Sequence, residues 1–149
     1  MLDDKLMNAC VFKHRTGVQV RISDLDPFAH VNNGSQCHLF DYGRSKYFEA
    51  AFKSKINWTT MDLVLVHIDM DFLLPVNTIQ NIICETCIYE IGNKSMKMIQ
   101  RLVDEDDATI KTISKCVIAS IDREKNVSKP ISEFCRKSIQ DFEGDFPLI

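Results

Sequence analysis

Residues 24–53 read "DLDPFAHVNNGSQCHLFDYGRSKYFEAAFK". The part after Asn33 contains no proline and few β-branched residues. Phe40, Tyr47 and Ala51 recur at helical spacing, while Lys46, Glu49 and Lys53 fall toward the opposite side. The spacing predicts a helix from about 33 to 53, with Asn32 or Asn33 as its N-cap. Gly43 within it costs helix propensity, about 1 kcal/mol against alanine, which suits a helix that must lie close on a sheet. The residues ahead of it, Asp24, Asp26, Pro27, Asn32 and Asn33, are turn and capping types.

Upstream, "GVQVRISD" (17–24) alternates. Val18, Val20 and Ile22 take one face and Gln19, Arg21 and Ser23 the other, so a half-buried strand is expected, halted by Pro27. Downstream, four β-rich runs follow at 61–75, 78–92, 94–106 and 108–124. In the first, Val64, Val66, Ile68, Met70 and Phe72 share a face opposite His67, Asp69 and Asp71. Short connections with turn residues, Gly92-Asn93 among them, predict an antiparallel meander. "SKPISEFCRKSIQDF" predicts a short C-terminal helix starting near Pro130. The order is strand, long helix, four strands, short helix: an α+β fold. A single helix covers one face of a five-stranded sheet if the sheet curls around it. Edges and outer face are then expected to need a partner, at least in a dimer.

The 149 residues suit one domain with a proper core. A net charge of −3 opposes nucleic-acid binding, which needs a basic surface. The N-terminal "MLDDKLMNACVF" matches neither a signal peptide nor a membrane span. Six cysteines sit in strand-like apolar runs, which points to reduced thiols and a cytoplasmic location. Cys84 and Cys87 form the only CxxC; on a strand they face opposite ways, wrong for a shared metal, so neither metal nor cofactor is expected.

The chemistry gathers at the helix entrance. Backbone N–H groups near Asn33, Gly34 and Ser35 have no partner within the helix. With the helix dipole they make an anion site that would stabilise the oxyanion of an acyl carbonyl. Gly34 permits close backbone approach. Asp26 arrives just before this site as base or nucleophile. Both parts of an acyl-transfer site are then present.

The pattern Arg21, Asp24, Asp26, then "HVNN" (His30, Val31, Asn32, Asn33) and a long helix resembles the 4-hydroxybenzoyl-CoA thioesterase-like branch of the hotdog-fold superfamily. "VHIDMDFLLPV" (66–76) and "EIGNKSMKM" (90–98) resemble that family's second strand and hairpin, so the similarity spans roughly residues 12–140. The resemblance implies a single hotdog domain over 1–149, with a five-stranded antiparallel sheet curled around one central helix. It implies an acyl-CoA thioesterase with Asp26 as nucleophile or general base. The backbone N–H of Asn33 would polarise the carbonyl. His30, Asn32, Gly34 and Phe28 would shape the loop or contact substrate. It also implies a homodimer or homotetramer with the site at the subunit interface. The carrier is coenzyme A or acyl carrier protein. Two positions depart from the family pattern: Ala29 replaces a usual glycine, and Gln36 a frequent tyrosine.

Other residues compete. Cys37 and His38 diverge by about 100° around the helix and do not face each other. Asp41 and Glu49 are alternative mid-helix carboxylates. His67, Asp69 and Asp71 spread over about 13 Å along a strand, more fitting for a polar face at a subunit boundary. Lys94, Lys97 and Arg101 are candidates for coenzyme A phosphates. Phe28, Phe40 and Tyr47 are candidate linings of an acyl pocket. The rival functions are a hotdog dehydratase, whose His-then-Asp-Arg signature is missing, and a non-catalytic acyl-thioester-binding protein.

Overall fold

The computed structural model describes residues 4–53 and 55–146. A short helix α1 (Asp4–Ala9) leads into β1 (His14–Gly17) and a 3-10 turn at Ile22–Asp24. The long α2 (Asn33–Ala51) follows, then β2 (Leu63–Phe72), β3 (Ile82–Ile91), β4 (Ser95–Asp104) and β5 (Ile110–Asp122). A two-residue β6 (Val127–Ser128) and α3 (Glu133–Glu143) complete the order. The α+β class and the curled antiparallel sheet around one long helix are as expected.

The pairing order is β1-β3-β4-β5-β2, with β6 on β5. This corrects the simple meander. The runs 82–91, 95–104 and 110–122 are hairpin neighbours, but β2 pairs with β5, not with β3. The connection 73–81 crosses the sheet instead of turning back, and on the way the carbonyl of fully buried Val76 accepts the Val31 N–H at 2.8 Å.

Two further readings change. The 17–24 strand ends at Gly17, although Val18 N–H still donates to Ile82 at 3.0 Å. Asp24 folds the rest into a turn by accepting the Arg21 amide at 2.7 Å, with Asp24 N–H returning to the Arg21 carbonyl at 3.0 Å. Ile22 is therefore thrown outward, 85% exposed, instead of joining Val18 and Val20. In β2 the register slips between Leu65 and His67, which pair with Ile118 and Val117. A bulge inserts one residue there, so the apolar face does not run unbroken from Val64 to Phe72: Leu63 packs in the core, and Met70 reaches it only beyond the bulge.

Helix α2 covers the concave face. One end packs Tyr47, Phe48 and Ala51 against Ile88, Met98 and Ile118; the other packs Leu39 and Phe40 against Cys84 and Leu102. Phe40 and Tyr47 are fully buried in these two separate clusters, so they do not line one acyl pocket. A polar pin joins the layers. Buried Gln100 donates to the Phe40 carbonyl and to Thr86 Oγ1, both at 3.1 Å, and accepts from Arg44 at 3.0 Å. Helix α3, capped by Ser132, buries Cys135, Ile139 and Glu143 along one stripe. The convex face is not left wholly to a partner: α1 and the residue after it cover part of it, packing Leu6 and Cys10 on Cys87, Ile99 and Ile113. Cys84 and Cys87 therefore do point to opposite faces of β3.

Candidate active site

The loop ahead of α2 is a small hairpin. Leu25 bridges Val31, and Asp26 N–H donates to the His30 carbonyl at 2.8 Å. Ala29 N–H closes the turn onto the Asp26 carbonyl at 3.0 Å. Pro27, Phe28 and Ala29 form the three-residue tip. Proline suits the second position of such a turn, because its φ is already set. The third tip position usually needs a left-handed backbone, the preserve of glycine. Ala29 adopts it, with φ 60°. The departure from the family's glycine therefore leaves the turn itself in place.

Asp26 plays a part in this turn that bears on its chemistry. Its Oδ1 accepts the Phe28 N–H at 2.8 Å and the His30 N–H at 3.2 Å. The turn therefore uses one oxygen of this carboxylate and leaves the other, Oδ2, without a hydrogen-bond partner among the described residues. Val31, almost fully buried, plugs the hairpin into the core.

Asn32 is the N-cap. Its side chain accepts Ser35 N–H at 2.7 Å, its carbonyl accepts Gln36 N–H at 3.1 Å, and its own N–H donates to the Asp24 carbonyl at 2.8 Å. Of the two roles open to it, the structure shows loop-shaping. The amides of Asn33 and Gly34 are left without partners among the described residues, at the positive end of a nineteen-residue helix. Beneath them lies Asp24, buried, bound by the exposed Arg21 guanidinium at 2.9 Å. Hydrogen bonds from the Arg21 side chain and amide hold the Asp24 carboxyl below its ordinary range. Asp24 is thus an internal strut, joined through its carbonyl to the first residue of the cap.

The side chains of Phe28 (79% exposed) and His30 face outward at the hairpin tip. Gln36 is buried: it accepts from Thr112 Oγ1 of β5 and donates to the Val31 carbonyl at 3.4 Å. It fastens the helix entrance to the sheet. Cys37 is half-buried with Sγ 3.5 Å from Met70 Sδ, and His38 is exposed. Asp41 is taken by buried Arg44, and Glu49 by Lys46 at 2.9 Å. Lys97 pairs with Glu90, and Arg101 with Glu85 while lying over the Phe12 ring. Clefts of about 310, 180 and 160 Å³ form elsewhere, and none is lined by Asp26, Asn33 or Gly34.

Two features of the site had no local signal. The anchor at Val76 comes from a crossover that the sequence presents as a turn. The Gln36–Thr112 contact joins residues far apart in the chain. Both belong to pairings that no periodicity encodes.

A family model described as the thioesterase-like superfamily matches residues 20–139. No curated protein matches the chain. Among solved structures, a thioesterase from Thermus thermophilus complexed with coenzyme A and Zn is 23% identical, with a TM-score of 0.77 over 88% of this chain and 95% of that one. A thioesterase-superfamily protein from a Jannaschia species is 18% identical, with a TM-score of 0.79 over 97% and 92%. A Staphylococcus aureus protein in complex with CoA is 16% identical, with a TM-score of 0.77 over 93% and 87%. At these identities the likeness is one of fold.

Proposed function

Because the chain belongs to the thioesterase-like superfamily and has its hotdog fold, we propose that it hydrolyses an acyl-CoA, aliphatic or aromatic, to the free acid and CoA. The observation that carries this reading is the division of Asp26. Oδ1 is fixed by two loop amides, which leaves Oδ2 to react, and the free amides of Asn33 and Gly34 head the helix that the same hairpin enters.

A thioester carbonyl oxygen held by those two amides gains electrostatic stabilisation as charge develops on it. In one course Asp26 Oδ2 adds to the carbonyl carbon and CoA leaves as thiolate. Water then opens the anhydride, returning the carboxylate and releasing the acid. In the other, Asp26 takes a proton from the water that attacks, the C–S bond breaks as CoA leaves, and that proton passes from Asp26 to the thiolate. Gly34 keeps the approach to the amides open, while His30 and Phe28 flank the entry. The 4-hydroxybenzoyl-CoA thioesterase-like branch with its HVNN motif is the branch to which we assign the chain. Relatives solved with CoA favour CoA over acyl carrier protein as the carrier.

The site is open on its outer side, and β2 is an edge strand with Leu65, Val66, Ile68 and Phe72 all exposed. Burying that edge against a second copy would cover the site, so we take the working unit to be a homodimer with its sites at the interface, acting in the cytoplasm as one domain per chain.

The test is thiol release from a panel of aliphatic and aromatic acyl-CoAs by wild type and Asp26→Asn. Asparagine keeps an oxygen for the Phe28 and His30 amides but puts an NH2 where Oδ2 was. Release that falls at least a hundredfold in the variant supports the reading. Release that survives moves catalysis to another group, and no release from any substrate points to a non-catalytic binder.

A further inference from the structure

The largest of the three clefts, about 310 Å³, opens at the C-terminal end of α2. The nineteen residues of α2 put it about 28 Å from Asn33 at 1.5 Å per residue. Its walls come from the end of α2, the connection into β2 and the first turn of α3. Phe52, Ile56, Met61, Phe134 and Cys135 make the floor apolar.

The rim carries the opposite chemistry, and it is electropositive. Lys129 pairs with Asp62 on the rim, and Arg123, outside the lining, approaches the same carboxylate at 3.6 Å. Lys55, also on the cleft, has no ion-pair partner among the described residues. On the cleft itself one anion, Asp62, thus faces two cations, Lys55 and Lys129. At the α3 end, Ser132 Oγ accepts Cys135 N–H at 3.1 Å and the Ser132 carbonyl accepts Arg136 N–H at 2.9 Å. The amides of Glu133 and Phe134 have no partners among the described residues, and Ser132 and Phe134 border the cleft. An anionic group set there would meet free helix amides and unmatched ammonium charge at once, with an apolar floor below.

We propose that this cleft is a second ligand site, for a small amphipathic monocarboxylate: one carboxylate on an apolar body. Its volume is at the low end of ligand pockets, which run from about 300 Å³. That equals the share of about ten water molecules, at about 30 Å³ each, so the ligand has a short chain or a single ring. A free acid of the kind that thioester hydrolysis releases has this chemistry, but occupancy of the cleft does not depend on catalysis at Asp26.

The molecule carries its own reporter. Trp58 is the sole tryptophan. It lies between Asn57 and Thr60 of the cleft wall and lines the adjoining cleft with Met61 and Leu63, which line both. The experiment titrates the full chain with sodium octanoate, 1-octanol and octylammonium, reading Trp58 fluorescence and thermal stability together. Octanoate is expected to saturate, with the alcohol and the ammonium at least tenfold weaker. Lys55→Glu, on an exposed residue, is expected to weaken octanoate about tenfold, and Asp26→Asn to leave it unchanged. Equal binding of octanoate and octanol would overturn the proposal. So would an Asp26→Asn effect as large as that of Lys55→Glu, or the absence of saturation by both readouts. A chain that failed to release thiol would leave this result intact, so the two readings fail separately.

Discussion

Gly43 of α2 and Cys84 of β3 stand so close that a Cβ at position 43 would fall 2.3 Å from Cys84 Sγ and 2.9 Å from its Cβ. Real side chains do not approach that closely, so either the helix lifts or the strand moves. Burial pushes the Cys84 thiol up to about 12, and it packs there as a neutral group. Gly43→Ala gains about 1 kcal/mol of helix propensity but overpacks a core, which costs about 1–3 kcal/mol or more. A net loss of about 2 kcal/mol in chemical denaturation is expected. Cys84→Ala removes the nearer clash and should restore part of it in the double variant, a coupling that independent sites would not show.

Ala29 holds a left-handed backbone at the tip of the site hairpin. An L-residue there carries roughly 1–2 kcal/mol of strain, and glycine relieves it while gaining about 0.4–1 kcal/mol of unfolded-state entropy. Ala29→Gly should therefore stabilise by up to about 1 kcal/mol, seen as a small rise in Tm. Because the turn is already formed, thiol release should change less than threefold. A large change in rate would mean that Ala29 contributes something other than the turn.

Glu143 and Asp24 give the stability–pH curve opposite slopes. Glu143 is buried at the end of α3, accepting Tyr47 O–H at 2.6 Å and Ile88 N–H at 2.8 Å on the same oxygen. Burial pushes its carboxyl above the ordinary 4.5, with the Tyr47 and Ile88 hydrogen bonds opposing. Below pH 4.5 it is protonated in both states and costs nothing; as pH rises, the unfolded chain ionises first and stability falls until the folded carboxyl ionises too. Glu143→Gln retains an oxygen for both donors. It should match wild type near pH 4 and exceed it at pH 7. Asp24 runs the other way. Its folded carboxyl titrates below 3.8, so its contribution is present above that value and is lost as pH falls through the folded value. Asp24→Asn should flatten that acid limb only. Urea midpoints at stepped pH check both, and parallel curves for wild type and Glu143→Gln would reject the assignment.

The β2 edge provides a test of assembly. Val66 sits at the bulge, 58% exposed, on a strand that among the described residues pairs only with β5. A lysine on an exposed edge opposes strand-to-strand association. Val66→Lys should halve the mass in size exclusion and leave the far-ultraviolet spectrum unchanged, with thiol release falling in step with the dimer. A wild type that already elutes as one chain would refute the dimer.

Much of this was legible in advance where the signal is local. Helix α2 begins at Asn33, as its capping residues and spacing predict, and ends at Ala51, two residues before the expected limit. The four long strands after residue 61 lie inside the expected runs because alternation and turn chemistry act over a few residues, while the two-residue β6 falls outside them. The hairpin carrying Asp26 was legible as a turn, and its geometry adds that one carboxylate oxygen is spent on that turn. The 17–24 run misled because alternation describes faces, whereas Asp24 can bend its own backbone by a hydrogen bond to Arg21.

The sequence by itself determined the long helix, the four long strands, the C-terminal helix, their order and the helix entrance with its acid, since capping, periodicity and turn residues are properties of short segments. Only the tertiary structure decided that β2 crosses to β5, that a bulge divides its apolar face, and that Val76 anchors the site hairpin. It alone placed α1 over the outer face and Glu143 under Tyr47. Those are contacts between distant residues, chosen by which surfaces can be buried together, and burial is settled by the whole chain at once.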